Sequence, residues 1–135
     1  MISKNKAMKR KKARSGRPVM PRVSDEMKQW SAMLGEEIAG WPSVSTRPMF
    51  GLLGYYRKSA IFAALPVTRT IGTPNTIIFK VRTMTPELLR RAKEDPRIEP
   101  ERAGPGAKWT AFEVQSEADL RDAIWWLSQA YERAK

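Results

Sequence analysis

The chain has neither cysteine nor histidine among its 135 residues. Without cysteine there is no disulfide framework, no thiolate nucleophile and no thiolate metal ligand. Without histidine as well, the Ser-His-Asp type of hydrolase and the common Cys/His zinc sites are excluded. The lack of cysteine suits a reducing compartment, and a cytoplasmic location is expected. Long apolar runs are missing too, and none approaches the roughly 18 to 20 residues of a membrane helix. The basic N-terminus leads into no apolar segment, so neither a secretory signal nor a membrane partner is expected. Acid is scarce: 14 Asp and Glu stand against 25 Lys and Arg, for a net charge of +11.

Two further absences narrow the chemistry. The glycine-rich pieces at 51–54 and 104–106 match no phosphate-loop pattern. The densest acids, Glu94, Asp95, Glu99 and Glu101, sit beside Pro96 and Pro100 and read as solvated loop carboxylates. No catalytic residue, metal site or cofactor is therefore assigned, and a non-catalytic binding protein is expected.

What is present is segregated charge. Residues 1–22 carry +9 with no acid, and residues 41–93 carry +8 with Glu87 as their one acid. The intervening 23–40 and the final 94–135 each carry −3. Segregation of this kind points to anionic partners. Residues 1–22 hold few apolar side chains and a run of cations at Lys9, Arg10, Lys11, Lys12 and Arg14. They read as a disordered basic tail, either a nucleic-acid-binding arm or a solubilising extension. Residues 23–135 read as one domain.

That domain opens with a helix from Ser24, an N-cap followed by Asp25 and Glu26, with Met27, Trp30, Leu34 and Ile38 on one face. Gly40 and Pro42 end it. Val44 to Tyr56 reads as one strand, bulged or sharply coiled between Gly51 and Gly54, with Pro48 confining it to an edge. Arg57–Lys58–Ser59 turns the chain and Ala60–Leu65 returns it. Residues 66–76 form a loop. In Thr76–Arg82, Ile77, Phe79 and Val81 take one face and Ile78, Lys80 and Arg82 the other.

A second helix follows, capped by Thr85, started by Pro86, anchored by Leu88 and Leu89, and stopped at Asp95–Pro96. Short strands are expected at Arg97–Glu99 and at Lys108–Val114, the latter with Phe112 and Val114 on opposite faces and the side of Trp109 left open. The last helix runs from the cap Ser116, with Leu120, Ala123, Ile124, Leu127, Tyr131 and Ala134 inward, Trp126 flanking that face and Trp125 turned nearly away. The order is α-β-β-β-α-β-β-α. It predicts a two-layer α+β domain, a mostly antiparallel five-stranded sheet with helices on one face.

The run Arg47–Pro48–Met49–Phe50–Gly51, then Ile61–Phe62–Ala63, Ile78–Phe79–Lys80 and a closing helix with Ala130–Tyr131, resembles the N-terminal domain of the TfoX/Sxy family and the related YjbR-like (MmcQ/YjbR) proteins. The resemblance covers about residues 23–134. It implies the two-layer fold with three strands before the middle helix. For TfoX proteins it implies an association with competence regulation, and for YjbR-like proteins a proposed DNA-binding role. It also implies that Met49, Phe50, Gly51, Phe62, Ala63, Phe79 and Lys80 are determinants of the fold.

Two functions compete. In the first, Arg47, Arg57, Lys58, Arg69, Lys80 and Arg82 share an exposed region beside Tyr55 or Tyr56 and join the tail in binding DNA or RNA. Phosphate contacts would dominate, with weak sequence preference because no element for reading base edges is evident. In the second, the basic surface is incidental and the chain is a protein-interaction or small-ligand-binding domain. Its contact would be the 66–76 loop or an outward Trp125, the latter in a weak homodimer. Clustering of the six cations on one face favours the first, and their dispersal the second.

Overall fold

Ser24 ends the extended chain and begins the first helix, its hydroxyl accepting the Met27 N–H at 3.0 Å. A computed structural model of the protein describes residues 20–100 and 109–134. Helix α1 (Asp25–Ala39) buries Met27, Trp30, Leu34 and Ile38 and stops at Gly40. Helix α2 (Pro86–Glu94) is capped by the Thr85 hydroxyl, which accepts the Leu88 N–H at 3.2 Å. Helix α3 (Leu120–Arg133) follows a 3-10 turn over Glu117–Asp119, where Ser116 and Asp119 form a reciprocal capping box.

Between these helices runs one antiparallel sheet of β1 (Val44–Met49), β2 (Leu52–Arg57), β3 (Ala60–Pro66), β4 (Thr76–Lys80), β5 (Ile98–Pro100) and β6 (Trp109–Glu113). Its spatial order is β1-β2-β3-β4-β6-β5. The protein is α+β, with six strands where five are expected. The extra strand comes from Phe50–Gly51, which is a hairpin turn and not a bulge: Met49 pairs with Leu52, and both turn residues have positive φ, +51° and +87°. That pair of angles belongs to a two-residue turn whose twist matches the flanking strands. Pro48 lies on the edge strand β1, where its missing N–H breaks no ladder.

All three helices cover the same side of the sheet. The core there includes Tyr55, Phe62, Leu65, Ile77, Phe79, Phe112 and Val114 from the strand segments. Phe62, Phe79 and Phe112 are fully buried, each stabilising the fold by roughly 1.5–3 kcal/mol. Phe112 and Val114 thus share a face, as residues two apart on an extended chain must. Leu88 anchors α2 with Ala92, whereas Leu89 is exposed. One hundred degrees per residue turns Leu89 away once Leu88 is inward. Trp126 is buried in the core, stacked on Phe79.

The opposite side carries a smaller cluster of Leu52, Ala64, Ile78 and Ala111, against which Met20, Met49, Ile71 and Trp109 pack. The chain is already tied to the loop after β3 before Val23. Pro21 accepts the Thr70 N–H at 3.1 Å, and Arg22 forms a bridge with Arg69.

Candidate nucleic-acid interface

Alternation along each strand decides which side chains reach the face away from the helices. On β4, Ile78 belongs to the smaller cluster, so Lys80, two residues on, emerges on the same side. Its partner across the ladder is Trp109, and its ammonium lies 5.8 Å from the Trp109 ring centre. On β2, Tyr55 points to the helices and Tyr56 therefore points away. Arg47 of β1 sets its guanidinium 5.2 Å from the Tyr56 ring centre. Two cation–aromatic pairs therefore stand on one face, their rings on the second and fifth strands in spatial order, roughly 14 Å apart at the usual strand spacing. Ile61 lies between them on β3.

Arg47 is exposed, while Tyr56, Lys80 and Trp109 are half-buried. Each ring is thus partly seated on the sheet and partly open. A cation held over a ring offers a phosphate contact and a stacking surface side by side. Arg82 reaches the same end of the sheet and donates to the Ile61 carbonyl at 3.3 Å.

Of the six cations expected to share one region, Arg47, Lys80 and Arg82 stand at this face and the other three do not, so the six divide equally between clustering and dispersal. Arg57 follows the parity of Tyr55 to the helix side, where its guanidinium lies 4.6 Å from the Tyr131 ring centre. It donates to the carbonyls of Tyr131 and Glu132 at 3.0 and 3.3 Å, capping the negative end of α3. Lys58 occupies the β2–β3 turn with φ of +58°. Arg69 is in the loop after β3, beside the opposite end of the β1–β2 hairpin. Lys9, Arg10, Lys11, Lys12 and Arg14 lie outside the described residues.

Sequence reasoning named Tyr55 or Tyr56 as neighbours of the cations, and the geometry selects Tyr56. Tyr55 is buried, its hydroxyl against Gly35 of α1, and burial raises its pKa. Trp109, whose side the sequence leaves open, takes the side of Lys80 because the two are ladder partners. Phe50, expected as a fold determinant, is 84% exposed. Gly51 is the determinant at that turn: its carbonyl accepts the N–H groups of Val67, Thr68 and Arg69.

Away from this face, Trp125 lines a groove of about 610 Å³ between α2 and α3, with Leu88, Arg91, Gln129 and Arg133. The Arg91 guanidinium lies 4.2 Å from its ring centre, and Trp126 meets it edge-on. Its exposure is therefore partial, and a neighbouring helix covers it.

Arg97 forms a second cluster that the sequence does not announce. It grips both oxygens of Asp95, at 2.9 and 2.7 Å, and reaches Asp119 at 2.7 Å and Asp122 at 3.1 Å. Its guanidinium also lies 4.8 Å from the Phe112 ring centre. The hydrogen bonds from Arg97 hold the Asp95 carboxyl below its ordinary pKa, and the carboxylates raise that of Arg97. This fork ties the end of α2 to the start of α3. Among the described residues no cluster of three or more acids could hold a metal ion, and no helix is long and apolar enough to cross a membrane.

No family model, curated protein or solved structure matches the chain.

Proposed function

We propose that this protein is a non-catalytic nucleic-acid-binding module, which meets its ligand through the sheet face bearing Arg47, Tyr56, Lys80, Arg82 and Trp109. The single observation behind this reading is the pairing of Arg47 with Tyr56 and of Lys80 with Trp109 on one side of the sheet. Proteins that hold single strands combine cations that track the backbone with rings on which bases stack. The sequence around Arg47, Tyr56 and Lys80 adds electrostatic support, since residues 38–86 contain no Asp or Glu, whereas on the Trp109 side Glu113 of β6 and Glu99 of β5 share the face. Phosphate contacts supply most of the affinity and the ring faces accept any base, so sequence preference is weak. The basic segment at Lys9–Arg14 adds affinity without adding specificity. The sequence resemblance to YjbR-like proteins, which carries with it a proposed DNA-binding role, agrees with this reading.

Titration of single-stranded DNA and RNA with the full chain, across a salt series, tests the proposal. A companion variant carries glutamine at Lys9, Arg10, Lys11, Lys12 and Arg14. Both proteins are expected to bind, the variant more weakly. If the variant loses all binding, the folded domain is not the binder and the reading fails.

A further inference from the structure

The tip of the β1–β2 hairpin presents a phenylalanine to water. Phe50 is 84% exposed and has φ of +51°. Asparagine, aspartate or glycine would adopt that angle at lower cost. Neither burial nor turn chemistry accounts for phenylalanine here, and residues that break local rules in this way are expected at functional or strained sites. The tip is also braced. The Gly51 carbonyl accepts main-chain N–H groups from Val67 at 2.9 Å, Thr68 at 2.9 Å and Arg69 at 3.1 Å. A ring displayed on a fixed support loses little freedom when a partner covers it.

The surroundings select the partner. Arg69 abuts Gly51, Arg22 is bridged to Arg69, and both are exposed. Arg47 lies three residues back along β1, roughly 10 Å away at the usual rise. No carboxylate occurs anywhere in residues 38–86. An apolar ring among cations complements a ligand made of stacked rings and phosphates. We propose that Phe50 is a wedge that inserts between adjacent bases of a bound nucleic acid, with Arg22 and Arg69 on the flanking phosphates. This rests on the nucleic-acid-binding reading above. A backbone following β1 would meet the wedge first and then Arg47 with Tyr56. Apolar wedges open base steps in duplexes, and aromatic rings stack equally with single strands.

The test uses the full chain and a DNA oligonucleotide carrying one central 2-aminopurine, single-stranded in one arm and annealed to its complement in the other. Wild type is expected to brighten the probe on binding as its neighbours unstack, and the arm that brightens names the preferred form. Phe50→Asn is expected to bind about 5-fold or more weakly, the loss of one stacked base, and to leave the probe dark. Its melting temperature should match or exceed that of wild type, because asparagine suits the turn. Phe50→Leu should keep part of the brightening. If Phe50→Asn equals wild type in affinity and emission, the wedge is overturned and nucleic-acid binding stands. If wild type binds neither form at low salt, both are overturned.

Discussion

The guanidinium of Arg47 lies 5.2 Å from the centre of the Tyr56 ring, across the ladder that joins the edge strand to its neighbour. The contact sets a fixed charge and an aromatic plane on the side of the sheet away from the helices. Replacing Tyr56 by leucine keeps an apolar side chain of similar reach and removes the plane. Affinity for single-stranded oligonucleotides is expected to fall about 5-fold or more, the loss of one stacked base. The salt dependence should not change, because no phosphate contact is lost. Fluorescence anisotropy at several salt concentrations measures both.

Gly51 is expected to tolerate no side chain. Its φ is +87°, and an added Cβ would lie 2.7 Å from Arg69 Cβ. Gly51→Ala combines the left-handed penalty with displacement of the loop that braces the hairpin, for a loss of about 2 kcal/mol or more. The urea midpoint measures it. An unchanged midpoint would mean that the turn adopts another conformation in solution.

The Arg97 fork makes stability fall in acid. Asp95 titrates near 3.9 when unfolded, and Arg97 holds it lower in the folded protein. The stabilisation is therefore fully present above about pH 5, where the carboxylate is ionised in both states. It is lost as pH falls through the depressed folded value, because the unfolded chain takes up its proton first. Arg97→Gln should cost about 2 kcal/mol at neutral pH, discounted from a fully buried pair because the partners keep some solvent. It should also flatten the decline below about pH 5. Melting temperatures of both proteins from pH 2 to 7 test this, and parallel curves would contradict it.

Much of this architecture is legible in the residues. Ser24 and Thr85 announce helix starts because their hydroxyls serve backbone donors within the same turn. Pro48 announces an edge, and the alternation of Ile77, Phe79 and Val81 announces a buried face. The β1–β2 turn was hidden because phenylalanine stands where asparagine or glycine would signal it. The alternation from Tyr55 would have turned Arg57 inward, but its neighbour Lys58 made it read as part of a turn. The Arg97 fork joins carboxylates 2, 22 and 25 residues away, and no local pattern encodes that meeting. Half of the candidate site was visible as basic residues. The other half needed the strand register, which selects Tyr56 over Tyr55 and places Trp109 beside Lys80.

The most direct test of the account is the salt dependence of single-stranded DNA binding by the full chain and by an Arg47→Gln, Lys80→Gln double variant. Each phosphate contact contributes about 0.7 to the slope of log K against log salt concentration. Wild type should show a clearly negative slope, and the double variant a slope shallower by about 1.4. A wild-type slope near zero, or the same slope in both proteins, would contradict the sheet face as the binding surface.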